Sequence, residues 1–157
     1  MVSMEFFEVI ERRHSCRSYS EKSVEETKLN RILGVLDRTP SAGGLKAFSV
    51  VVISREEEKK RLSEAALGQE FVAEAPISLV FFAEPEASAR KYGERGRRLY
   101  AIQDATIAAA YAQLAAVAQG LSCAWVGAFS DEEVKKICGA KENSVPIAII
   151  PIGYGLE

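Results

Sequence analysis

Two stretches of the chain are almost continuously apolar: FSVVVIS at 48–54 and ISLVFFA at Ile77–Ala83, the second opened by Pro76. Runs this short, rich in β-branched and aromatic residues, read as buried strands. LSCAWV at 121–126 and PIAIIPI at 146–152 read as a third and a fourth strand. Between them the apolar period lengthens to that of helices. Phe6, Phe7, Val9 and Ile10, following Ser3, mark a short first helix. Ser23 and Glu26 are spaced as a capping box ahead of a second helix, with apolar positions at Val24, Leu29, Ile32, Leu33 and Leu36. Thr39-Pro40 should stop it. Residues 55–67 predict a charged amphipathic helix, and Ser130 or Asp131 caps a short one running through Ile137. The polar stretch EASARKYGERGRR at 86–98 is expected to be partly helical and mobile. The longest helical segment, 99–119, has no glycine or proline, is dense in alanine, and ends at Gly120. A helix that is small on several faces is expected to pack on all of them, which suggests a central helix at a subunit interface. Strands and helices alternate over a single domain, 1–157, with no internal repeat. The expectation is therefore a mixed α/β sandwich.

Composition narrows the function classes. A chain of 157 residues buries roughly 70% of the surface its unfolded form exposes, enough to fold without a disulfide or metal staple. It carries 20 basic and 22 acidic residues, a net charge of −2, so the broad basic surface of a nucleic-acid binder is absent. Gln103, Asp104, Gln113 and Gln119 interrupt the alanine-rich helix, which excludes it as a membrane span. The N-terminus meets charge at Glu5 and has no long apolar run, so it is not read as a signal peptide. Cys16, Cys123 and Cys138 match no zinc spacing, and an odd number of scattered thiols fits a reducing cytoplasm.

Against this even background, RRHSCRS stands out: Arg12, Arg13 and Arg17 with the chain's only histidine, His14. In an extended backbone Arg13, Ser15 and Arg17 alternate onto one side. Guanidinium forks and a hydroxyl facing one way suit an anion, above all a phosphate. The same stretch also reads as a solvated basic face at a helix end. In PSAGGLKAF, from Pro40 to Phe48, adjacent glycines let backbone approach a flat ligand, or simply supply the positive φ of a helix-to-strand turn. In WVGAFSD, Gly127 and Ala128 follow a strand and precede a helix, a position where ligands of α/β sheets often sit. Trp125 beside them reads equally as core. No Walker loop, GxGxxG, GxSxG elbow or histidine-rich metal site is present in the sequence.

Taken in order, these segments resemble the nitroreductase family of flavin-dependent oxidoreductases. The resemblance begins at RRHSCRSYSEKSVEETKLNRIL, where Arg13, Ser15, Arg17 and Tyr19 match an Arg-x-Ser-x-Arg/Lys motif followed by an aromatic. It continues through TPSAGGLKAFSVVVI, resumes at YAIQDATIAAAYAQLAAVAQGLSCAWVGAFSDEEV, and ends at PIAIIPIGY. It implies noncovalent FMN and a nitroreductase-like α+β fold, with a central, mostly antiparallel sheet of four to five strands flanked by helices. It also implies a long central helix and a homodimer with its flavin sites between subunits. Arg13 and Ser15 would hold the FMN phosphate, with His14 beside them. Arg17 would lie over the pyrimidine edge, where positive charge favours the anionic reduced flavin. Pro40, Ser41, Ala42 and Gly43 would approach from the partner subunit. The backbone N–H of Gly127, next to Ala128, would face the hydride-accepting ring nitrogen at about 3 Å. The implied cycle is ping-pong: NAD(P)H reduces the flavin, leaves, and a nitroaromatic or quinone-like acceptor replaces it, with no protein side chain as general acid or base.

Three departures accompany the resemblance. Gly44, Lys46 and Ala47-Phe48 stand where many members carry Asn, Gln and Pro-Trp, a variant closer to the dehydrogenases of thiazole and oxazole peptide maturation. Lys46 is either a substitute cation or a solvent-facing side chain. The sequence ends at Glu157, where many relatives continue into a basic tail, so phosphate binding is expected to lean on Arg13 and its neighbours. The segment from Ala83 to Gly93, which in relatives shapes the substrate channel, is short and polar. Alternative readings are a flavin-binding module with little turnover, and a same-fold dehydrogenase acting on a modified peptide or an aromatic substrate.

Overall fold

A computed structural model describes residues 4–157. Among them four strands form one antiparallel sheet in the order β1-β2-β4-β3: β1 Phe48–Ile53, β2 Ile77–Ala83, β3 Ser122–Cys123 and β4 Val145–Gly153. β2 is central and every one of its residues is buried. Its side chains alternate between two cores, Ile77, Leu79 and Phe81 on one face and Val80 and Phe82 on the other. β1 pairs with β2 from Phe48↔Ala83 to Ile53↔Ser78. Its apolar run suggested a strand covered on both faces, but β1 is an edge strand, half-buried for most of its length, with Val52 exposed.

The helices are α1 Phe6–Arg12, α2 Glu26–Val35, α3 Glu56–Ala65, α4 Phe71–Glu74, α5 Pro85–Arg95, α6 Ala101–Ala118 and α7 Asp131–Cys138. α6 lies on the face carrying Leu79 and Phe81, packed through Ala108, Ala109, Ala112 and Ala116. α3 and α7 cover the opposite face. Alanine lets the α6 backbone approach the sheet closely, and no bulky side chain has to interdigitate. No helix among the described residues is long and apolar enough to cross a membrane.

Several local expectations change. Ser3 lies outside the described residues; α1 is capped by Glu5, whose carboxylate accepts the Phe7 N–H at 3.0 Å. Ser23 caps nothing. α2 begins after Glu25, whose carbonyl accepts the first helical N–H groups and whose carboxylate is drawn away to the Tyr154 hydroxyl at 2.7 Å and the Lys28 ammonium at 3.2 Å. Those two partners hold the Glu25 carboxyl below the usual carboxylate range. The polar stretch at 86–98 is helical throughout: α5, broken at Gly93 (φ 59°, ψ −139°), runs into a π-helical turn Gly96–Tyr100 that feeds α6. α6 is not covered on all sides. Ile102, Thr106, Ala110 and Tyr111 leave one stripe exposed. Ser130 caps α7 as expected, and Gly139 closes it in the left-handed conformation, φ 62°.

Phe81 is fully buried between Val50 and Ala148 of the flanking strands, in the core shared with α6. Phe81→Ala should cost about 3–5 kcal/mol of stability, the usual toll of an emptied aromatic site. Urea unfolding measures it, and a loss under about 1 kcal/mol would mean that this core does not carry the fold.

Candidate functional site

The basic segment follows α1 directly. Arg13 leaves the helix in extended conformation (φ −61°, ψ 124°), and the chain then runs beside β3. Ser15 pairs with Cys123 in a parallel bridge, and the Cys16 N–H donates to the Cys123 carbonyl at 3.0 Å. Cys16 is fully buried, Arg13 and Ser15 are half-buried, and His14 and Arg17 are exposed, so burial does not alternate strictly along the segment. Burial pushes the Cys123 thiol up to about 12, against the pull of the nearby Arg13 guanidinium. Arg12 is neutralised by Glu8 at 2.7 Å. Neither the Arg13 nor the Arg17 side chain has a carboxylate or hydrogen-bond partner among the described residues. His14 is exposed and turns back, its Nδ1 3.1 Å from the Arg12 carbonyl.

The C-terminal segment backs this strand. Leu156 N–H donates to the Ser18 carbonyl at 2.9 Å, Ser20 N–H to the Tyr154 carbonyl at 2.8 Å, and Arg17 N–H to Glu157 Oε1 at 2.8 Å. The last contact sets a carboxylate oxygen on a backbone donor of the basic segment. Cys16 leaves no room behind it: a Cβ at Gly155 would stand 2.9 Å from its sulfur.

The glycine turn adjoins the same edge. Two residues after Cys123, Trp125 is 39% exposed, and Val126 exchanges two backbone hydrogen bonds with Ile149 at 2.9 and 3.0 Å. Gly127 and Ala128 are exposed beyond it. A Cβ at Gly127 would meet nothing nearer than Trp125 Nε1 at 3.7 Å, and its φ lies outside the left-handed region. Neither sterics nor backbone requires glycine there, so the bare backbone is a surface left open.

The PSAGG loop is held elsewhere. Asp104, 2% exposed near the start of α6, accepts Ala42 N–H on Oδ1 at 3.2 Å and Ala47 N–H on Oδ2 at 3.0 Å. Ser41 accepts Lys46 N–H on its hydroxyl at 2.9 Å, which closes the turn and leaves Lys46 at φ 46°. Pro40 and Gly43 are exposed, and Ser41 and Ala42 half-buried. Cys123, beside the basic segment, touches α6 at Gln113, where its thiol lies 3.9 Å from the carbonyl. Asp104 and Gln113 are nine residues apart, roughly 13 Å along a helix axis. Within one chain, then, the basic segment is paired to Cys123, four residues ahead of Gly127, and Pro40–Gly43 are held at another level of α6. Sequence reasoning missed Asp104, although a lone carboxylate at a buried register of an alanine helix was the available signal. It also missed Lys91 and Tyr92, which cover Gly43 and carry no sequence signature.

The model of the family described as Nitroreductase family matches residues 10–76 and 65–154. An NADH dehydrogenase of Thermus thermophilus is 30% identical over 173 residues, spanning 93% of this chain and 84% of the relative. Among solved structures, an FMN-dependent nitroreductase from Clostridium difficile superposes with a TM-score of 0.83 at 28% identity, over 95% of this chain and 87% of that one. A nitroreductase family protein from Clostridium novyi gives 0.89 at 24% identity, over 98% and 87%, a likeness of fold.

Asp104→Ala strips the acceptor from two N–H groups, one of them on the fully buried Ala47. The expected cost is about 2–3 kcal/mol, the range for hydrogen bonds to a charged partner. Amide exchange at Ala42 and Ala47 should quicken by more than that of β2, and Asp104→Asn should recover part of the protection. Unchanged exchange at Ala47 would show that the loop is held by something else.

Proposed function

The chain belongs to the nitroreductase family, and from that premise we propose that it is an FMN-dependent oxidoreductase. It takes a hydride from NAD(P)H and passes it to a small acceptor, nitroaromatic or quinone-like, in a ping-pong cycle. The observation that carries this reading is the pair of guanidiniums, Arg13 and Arg17, with no side-chain partner among the described residues, on an extended segment paired to Cys123, four residues ahead of the open backbone of Gly127. A cationic segment whose Arg13 and Arg17 side chains have no carboxylate partner among the described residues suits a dianionic phosphate, and a glycine that its own chain does not need suits a flat ring. The FMN-dependent nitroreductase from Clostridium difficile, similar over nearly the whole chain, supports the choice of flavin.

On this reading Arg13 and Ser15 take the phosphate, with His14 at their side, and Arg17 supplies charge at the pyrimidine edge. The Gly127 N–H and the small Ala128 face the ring. Flavin, when bound, supplies the two-electron chemistry. The residues bind, orient and exclude water, and none serves as general acid or base. Glu157 introduces an opposing charge near Arg17, which the guanidiniums outnumber.

The same reading makes the protein a homodimer. Pro40, Ser41, Ala42 and Gly43 lie at a different level of α6 from the basic segment, so they would complete the site on a second copy. An apolar groove of about 430 Å³ runs between α1 and α6, lined by Phe6, Val9, Tyr111, Leu114 and Ala115. Around it Phe7 is 69% exposed and Ile10 46%. Contiguous exposed apolar surface of this kind marks an interface, and the free stripe of α6 belongs to it.

Purified protein should turn yellow with FMN and bleach on anaerobic addition of NADH or NADPH. Arg13→Ala should weaken FMN binding by about 1.5–3 kcal/mol in a fluorescence titration, the worth of a charged hydrogen bond. Unchanged affinity removes Arg13 from the site, and a wild-type protein that ignores excess FMN sinks the reading. Light scattering at micromolar concentration should return twice the chain mass, falling toward one chain in Tyr111→Glu; a wild-type monomer would contradict the shared site.

A further inference from the structure

Two side chains of α5 overhang the glycine loop at Gly43, which stays partly open to solvent. A Cβ at Gly43 would overlap the Tyr92 hydroxyl and stand 3.2 Å from Lys91 Nζ, so only glycine, at φ 61°, permits the approach. Both sides of this contact are built. Asp104 anchors the loop from below through Ala42 and Ala47. Above it, the Tyr92 ring stands edge-on to Tyr100 at 5.2 Å, and α5 is pulled onto the π-helical turn where a Cβ at Gly96 would meet the Ser88 carbonyl at 2.7 Å.

The charges around this roof are unequally satisfied. Arg97 pairs with Glu86 and Glu94, Arg98 pairs with Glu94, and Arg95 donates to the Tyr100 hydroxyl at 3.1 Å. Lys91 has only the Tyr92 ring, 5.5 Å from its nitrogen, and no carboxylate among the described residues. Lys46 closes the same turn with a strained φ of 46°. An exposed ammonium and a phenol hydroxyl thus converge on a backbone turn.

The two substrates of a ping-pong cycle use one slot in succession, and they differ in charge. Nitroaromatic and quinone acceptors are neutral; the reducing dinucleotide carries phosphates. We propose that Lys91 and Tyr92 recognise a phosphate of the dinucleotide as it lies across the Gly43 turn, so that they act in the reductive half of the cycle and leave the acceptor untouched. This rests on the flavin-dependent reading above. Lysine suits the task as a compact ammonium on a flexible stem that follows a departing product, and the phenol supplies a second donor.

The test compares wild type, Lys91→Ala, Lys91→Arg and Tyr92→Phe, each with FMN bound, using NADPH or NADH against a neutral quinone. Lys91→Ala should raise the KM for the nucleotide about tenfold or more at low salt, the scale of one charged hydrogen bond. The quinone KM and the bound-flavin absorbance should not move. Lys91→Arg should restore most of the loss, Tyr92→Phe should show a smaller one, and added salt should shrink the gap between wild type and Lys91→Ala. Calorimetric titration with NADP⁺ should show the same weakening without turnover. A loss shared by NADPH and NADH assigns the pyrophosphate; a loss confined to NADPH assigns the 2′-phosphate. An unchanged nucleotide KM and NADP⁺ affinity in Lys91→Ala overturns the inference while flavin binding and bleaching leave the wider reading standing. A parallel rise in the quinone KM overturns it too, by making the roof a general wall of the slot. A wild-type protein that takes up no flavin removes both.

Discussion

A stripe of alanines laid against one face of the sheet is the contact on which the other arrangements rest. Ala108, Ala109, Ala112 and Ala116 are fully buried in the core shared with Leu79, Phe81 and Ile150. Because they are small, α6 approaches the strands closely and its rotation about its own axis is set. That rotation points Asp104 inward, where it grips the glycine loop, and sets the Gln113 carbonyl against Cys123, the residue that anchors the basic segment. It also turns Ile102 and Tyr111 outward. One helix therefore holds the glycine loop and the basic segment at two heights and leaves an apolar stripe exposed.

The polar contacts divide the same way. Around the loop and the C-terminal segment they are spent: Asp104 on two backbone donors, Ser41 on Lys46, Glu25 and Lys28 on Tyr154. At the basic strand and the roof they are withheld. The side chains of Arg13, Arg17 and Lys91 have no carboxylate partner among the described residues, in a chain that has 22 acidic residues available to supply one. Solvent-accessible cations without a carboxylate partner are free to meet an anionic visitor, and the proposed cofactor and nucleotide are both anionic.

Much of this was legible from residue order. ISLVFFA predicted β2 to the residue because its apolar run ends in sharp breaks, Pro76 before it and Glu84-Pro85 after it. The extended backbone after α1 was legible as a strand-like run, and Cys16 within it is fully buried, although His14, expected on the same side as Cys16, is exposed. FSVVVIS looked equally buried and proved to be an edge, because hydrophobicity reports that a strand is covered but not how many neighbours cover it. Ser23 carried a capping signature that failed because the helix begins two residues later than it requires, after Glu25, which puts Glu26 in the first helical position.

The sequence by itself determined the alternation of strands and helices, the long alanine helix, and a family pattern spread in order along the chain. Each of these is local: it depends on period, on breakers, or on neighbours a few residues apart. Only the tertiary structure decided that Asp104 holds Ala42 and Ala47 across more than fifty positions, that Lys91 and Tyr92 roof Gly43, and that the loop and the basic strand sit apart on one chain. Those relations are set by the closeness of helix to sheet and by which buried polar groups find partners, quantities that exist only once the chain has packed.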